Sequence, residues 1–139
     1  MILVTWRKRF VKTAMLLALS TASSLGLGAC EAVDPQEQQL LSNTRLELVD
    51  WHISGLWVIN SPVAWIRVTN YNPVPIHNIT LEYRSFTTDG KPLDKGTFTI
   101  EGTVPAGETK NFIELYLGLV DLYTERLSCK LLSVKRANH

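Results

Sequence analysis

From residue 44 onward the hydrophobic positions recur every second residue, the period of a pleated strand. Residues 45–53 (RLELVDWHI) alternate, yet strict alternation sorts them poorly. Arg45, Glu47, Val49, Trp51 and Ile53 share one side, Leu46, Leu48, Asp50 and His52 the other, so each face mixes apolar and polar groups. Residues 63–70 (VAWIRVTN) form a second strand rich in branched and aromatic side chains, entered through Ser61-Pro62. Asn72-Pro73-Val74-Pro75 forces a turn, because each proline lacks an N–H and fixes φ. Residues 78–87 (NITLEYRSFT) give the clearest strand, with Ile79, Leu81 and Tyr83 on one face and Thr80, Glu82 and Arg84 on the other. Phe86 falls on the polar face, which predicts a bulge or local cover.

Asp89-Gly90 supplies the positive φ of a tight hairpin. The return is weakened by Pro92 and Lys95-Gly96 and becomes a strand over 97–103, with Phe98 and Ile100 inward. Pro105-Ala106-Gly107-Glu108 turns the chain again. Over 109–117 alternation places Ile113, Leu115 and Leu117 on one face and Phe112, Glu114 and Tyr116 on the other. A less regular connection over 118–125 leads to a last strand at 127–134. Six or seven short strands without an amphipathic helix predict an all-β fold, an immunoglobulin-like antiparallel β-sandwich over 44–139. Packing alone must hold it, with Trp51, Trp57, Trp65, Phe98 and Phe112 as the expected large core side chains. Residues 31–43 (EAVDPQEQQLLSN) are polar and broken by Pro35, and read as a flexible tether in which a short helix over 36–41 has room to form.

The start of the chain has a different character. Residues 1–13 are short and basic, and residues 14–29 (AMLLALSTASSLGLGA) carry no charge. A positive n-region, an apolar h-region and a small-residue end describe a secretory signal peptide over 1–29. The uncharged stretch is shorter than the roughly 20 residues a spanning helix needs. Leu27-Gly28-Ala29-Cys30 resembles the lipobox of bacterial lipoproteins. The resemblance implies a diacylglyceryl group on the Cys30 sulfur and cleavage between Ala29 and Cys30. Two or three acyl chains anchor a protein to a bilayer stably. The alternatives are an ordinary secreted protein with a chance cysteine and an uncleaved signal anchor. Residues 6–12 (WRKRFVK) resemble a twin-arginine export signal with Arg7-Lys8 in place of the arginine pair, against the preferred reading of a plain basic n-region. Glu31 leans toward the outer membrane, with the inner membrane left open.

Charge narrows the partners. Residues 1–29 hold only basic charges (Arg7, Lys8, Arg9 and Lys12), and from Cys30 onward ten basic residues face thirteen acidic ones, a net charge of −3. Nucleic-acid binding needs clustered lysine and arginine, so that partner class is excluded. No metal site is expected: His52, His77 and His139 lack ligand spacing, and Cys129 has no nearby cysteine. His77 is expected in a solvated turn. His52, beside Trp51 and Asp50, is either a pocket residue or a surface one. Glu47 with Asp50, or Glu82 with Glu101, are the carboxylates that could meet in space, and no phosphate loop or nucleophile elbow accompanies them. The chain is therefore not expected to be an enzyme, and no cofactor is implied. Cys129 reads as a small buried strand residue, with an intermolecular disulfide as the alternative.

Val68-Thr69-Asn70, Pro75-Ile76-His77-Asn78-Ile79, Leu81-Glu82-Tyr83, Asp89-Gly90, Pro105-Ala106-Gly107-Glu108 and Phe112 occur in an order that resembles the immunoglobulin-like modules of the FxLYD and LEA14 (water-stress) type found in bacterial surface lipoproteins. That resemblance implies a sandwich that binds other molecules or acts as a spacer, with no catalytic residues. The expected function is a non-enzymatic, lipid-anchored protein of the cell envelope, exposed outside the cytoplasm. It would mediate protein–protein interaction or serve as an accessory subunit, with Trp57, His52 and His77 as candidate interaction residues. The alternative is a small apolar or saccharide ligand held in an aromatic pocket. Mass spectrometry of the membrane fraction should find a mature chain beginning at an acylated Cys30. An unmodified Cys30 still joined to Ala29 would contradict the lipoprotein reading.

Overall fold

The computed structural model describes residues 34–56 and 59–138. The expected signal peptide, its expected cleavage point at Ala29, the expected lipidation site Cys30 and Trp57 lie outside the described residues. The order of elements is α1 (Pro35–Ser42), β1 (Thr44–Leu56), β2 (Ile59–Asn70), β3 (Ile76–Phe86), β4 (Pro92–Ile100), β5 (Thr109–Tyr116) and β6 (Arg126–Arg136). Every strand pairing is antiparallel, and the strands form two three-stranded sheets ordered β1-β2-β5 and β4-β3-β6. This is an all-β sandwich. Its strand order is that of A-B-E in one sheet and C′-C-F in the other of an immunoglobulin-like fold, without D and G.

The inner faces meet in one apolar core. Ala64, Ile66 and Val68 come from β2, Ile79, Leu81 and Tyr83 from β3, and Ile100 and Val134 from β4 and β6. Burying each large apolar side chain contributes about 1.5–3 kcal/mol. Of the expected aromatic core, Trp51, Phe98 and Phe112 pack against this cluster. Trp65 does not: it is 39% exposed. Alternation explains the correction, since β2 turns Ala64, Ile66 and Val68 inward and therefore Trp65 outward.

The polar stretch expected as a tether is also corrected. Its described part folds as α1 and docks, with Leu40 in the core. Asp34 caps the helix by accepting the Gln36 N–H at 2.9 Å, and Pro35 begins it, a combination that suits a helix start. Lys135 of β6 reaches Glu37 at 3.5 Å. His77, expected in a turn, pairs with Lys135 within β3. Pro92 opens β4, where an edge strand tolerates a residue without a donor.

Two devices close the sandwich at its two ends. At the α1 end the Asn70 side chain is fully buried. Its amide nitrogen donates to the carbonyls of Val74, Val104 and Pro105 at 2.9, 3.0 and 3.1 Å. Its amide oxygen accepts the Asn72 backbone N–H, and the Asn72 side chain donates to the Leu40 carbonyl at 3.0 Å. Toward the other end, Tyr83 is 6% exposed, and its ring fills the space left by two glycines. A Cβ on Gly96 would lie 2.5–2.9 Å from three Tyr83 ring and hydroxyl atoms, and one on Gly118 (φ +153°) would collide with the same hydroxyl.

Asn70→Ala leaves the Val74 carbonyl and the Asn72 N–H without their partner, while the Val104 and Pro105 carbonyls keep the Ile76 and Glu108 N–H groups, and each unpaired group costs roughly 1–3 kcal/mol. Urea unfolding should show a loss of about 3 kcal/mol at unchanged slope. Asn70→Asp, equal in size but turning an oxygen toward those carbonyls, should be at least as damaging. A loss under about 1 kcal/mol for both would refute this account of the closure.

Candidate functional site

The β1-β2-β5 sheet is interrupted by two register shifts around Trp65. The β1–β2 register shifts between Leu48 and Asp50, leaving Val49 as an extra residue. The β2–β5 register shifts between Ala64 and Ile66, so that Ile113 and Glu114 together face the single residue Trp65. Glu114 sits at φ 57°, in the left-handed region that side-chain-bearing residues seldom adopt. Two bulges thus bracket one tryptophan from both sides, and bulges are devices that re-aim side chains.

Trp65 forms the wall of a shallow depression of about 240 Å³, lined also by Asp50, His52, Val63 and Glu114. Its floor is apolar, because Val63 is only 4% exposed although it shares the outward side of β2 with Trp65. The indole is held in place: its Nε1–H donates to Asn111 Oδ1 at 3.4 Å, and that oxygen also accepts from Arg67 Nε at 3.1 Å. Arg67 in turn lies 3.7 Å from Glu47. One oxygen of Asp50 accepts the Trp51 N–H at 2.8 Å.

No known protein family, curated protein or solved structure matches this chain. The reading therefore rests on its own residues.

His52 lines the depression and is exposed. His77 lies in the other sheet, so the structure does not bring these two candidate residues together. The carboxylates suggested as pairs have other partners or stand apart. Glu47 takes Arg67, and Glu82 takes Arg84 at 2.6 Å, a guanidinium contact that holds the Glu82 carboxyl below its ordinary range. Glu82 pairs with Thr97 across β4, whereas Glu101 lies beyond the end of that strand. Among the described residues no cluster of three His, Cys, Asp or Glu side chains is placed to hold a metal ion.

A second surface lies at the far end of the strands from α1. The connection from β5 to β6 pairs with β2 through Asn60 and Val120 and bonds to Phe86 through the Glu125 N–H. It exposes Leu119 (67%), Leu122 (64%) and Tyr123 (73%), with Tyr116 (61%) just before it. Asp121 pins the loop by accepting the Tyr123 N–H at 2.8 Å. Sequence reasoning missed this patch, because an irregular stretch has no alternation from which to read exposure. It missed Ile113 as a surface residue because the β5 bulge breaks the alternation there, and Trp65 because the size of the side chain was weighed above the unbroken alternation of β2.

Cys129 is a free, half-buried thiol on β6, paired with Tyr83 and packed against the core. Burial pushes its pKa from an ordinary 9.0 up to about 11. The fold favours the neutral thiol, so this contribution to stability is complete below pH 9 and is lost as pH rises through about 11. The unfolding free energy should therefore fall over pH 9–11 by a component that Cys129→Ala removes. Identical pH profiles for the two proteins would overturn that assignment.

Proposed function

We propose that this chain is a non-enzymatic, lipid-anchored protein of the bacterial cell envelope whose β-sandwich docks a protein partner as an accessory subunit. The reading draws on two features at opposite ends of the strands. An acyl group on Cys30 attaches a few residues before α1, where the chain enters the sandwich. The apolar loop bearing Leu119, Leu122 and Tyr123 projects from the other end. The observation that carries the proposal is that loop. Three large apolar side chains more than 60% exposed, on a segment pinned by its own hydrogen bonds, form the kind of patch that marks interaction sites. Along β2 the loop and the α1 end of the sandwich are separated by roughly 30 Å at 3.3 Å per residue. A second reading, small-ligand binding, draws on the depression at Trp65.

A photocrosslinking residue at Leu122 should give a discrete protein adduct in intact membranes, and one at Thr97 on the opposite sheet should give none. Leu119→Ser combined with Leu122→Ser should abolish binding of the partner so identified while leaving the melting midpoint within a few degrees, as surface changes do. Equal adducts from both positions, or binding indifferent to the double variant, would defeat the proposal.

A further inference from the structure

We propose that the Trp65 depression binds a small soluble alkylammonium cation, with the indole face as the platform and Asp50 and Glu114 as the flanking charges. This deepens the small-ligand reading and is independent of the apolar loop. Asp50 is the direct register partner of Trp65 on β1, and Glu114 occupies the bulge opposite Trp65 on β5. Neighbouring strands lie about 4.8 Å apart, so the row places a carboxylate on each side of the indole at one strand spacing. Both carboxylates line the depression, and among the described residues neither forms an ion pair. The nearby cation Arg67 is already engaged, by Asn111 and Glu47.

Each component suits one ligand chemistry. A tryptophan face is the strongest aromatic partner for a cation. The buried Val63 gives methyl groups on nitrogen an apolar floor, and the volume of about 240 Å³ accommodates a trimethylammonium head with a short tail. Carboxylates close the rim with complementary charge. The bond from the indole N–H to Asn111 fixes the ring before any ligand arrives, which reduces the ordering cost of binding. The left-handed backbone at Glu114 is then intelligible, since it is the bulge that turns this carboxylate toward the tryptophan.

The test uses choline, its neutral isostere 3,3-dimethylbutan-1-ol, N-acetylglucosamine and phosphatidylcholine vesicles, added to the ¹⁵N-labelled protein. Choline should shift the Trp65 indole and Val63 signals saturably. Asp50→Asn and Glu114→Gln, both surface changes, should each weaken binding about three- to tenfold, and Trp65→Leu should abolish it. The neutral isostere should bind at least tenfold more weakly. Equal binding of the isostere, or a sugar bound in preference, would overturn the cation assignment and leave the small-ligand reading standing. Binding of vesicles without free choline would overturn the soluble ligand. If no probe shifts Trp65, both readings fail.

Discussion

The sandwich depends on one buried amide. Asn70 ends β2, and its side chain meets the 71–75 turn, the loop before β5 and, through Asn72, the C-terminal end of α1. Each of these segments carries carbonyls past the ends of the strands: Val104 and Pro105 also accept the backbone N–H groups of Ile76 and Glu108, whereas Val74 takes its donor from Asn70. A buried carbonyl without a donor costs as much as a lost hydrogen bond. Asparagine meets this need with donors and an acceptor in one short side chain and no charge to desolvate. Its oxygen orients Asn72, so the second amide works only because the first is in place. With no disulfide between the sheets, the fixed geometry of this corner decides where α1 and the two loops sit.

Strand identity was legible in the sequence because branched and aromatic residues alternate between turn-forming residues, and each predicted strand has its counterpart. The facing of residues was legible only where alternation runs unbroken. In β3 the series Ile79, Leu81 and Tyr83 is inward as expected. In β1 the mixed faces of 45–53 were themselves the sign of a bulge. Once Val49 is taken as an extra residue, Leu46, Leu48 and Trp51 all pack inward, while Glu47, Asp50 and His52 face out. The same correction in β5 brings Phe112 and Leu115 to the core and leaves Ile113 exposed. A single inserted residue inverts every side chain beyond it, so a reader who assumes period two errs systematically after that point.

The short helix over 36–41 was allowed for, but its docking was missed for a different reason. Glutamine-rich composition argued for a tether, yet Asp34-Pro35 is a helix-start signature, and one leucine suffices to dock two turns. Local chemistry at the cap outweighed the average polarity of the segment. The asparagine corner was less accessible still. Asn70 and Asn72 flank a proline-rich turn, where asparagine is common for its own conformational reasons, so nothing in the sequence distinguishes a turn residue from one that bonds across 34 positions. Long-range polar pairing has no periodic signal.

The two ends of the molecule differ in kind, and that difference bears on function. At the α1 end, directional bonds among buried amides and carbonyls fix the loops. At the other end Tyr83 sits against Gly96 and Gly118 by shape, and the β5–β6 connection above it is held by a few backbone bonds and by Asp121. Its large apolar side chains turn outward because the core beneath is already filled by Tyr83, Leu117 and Val120. Exposed leucine and tyrosine contribute nothing to this fold's own stability. Under the proposed function a partner would cover them. The bulged face around Trp65 follows the same logic: two irregular strands surround an exposed indole where three regular ones would have made a flatter sheet.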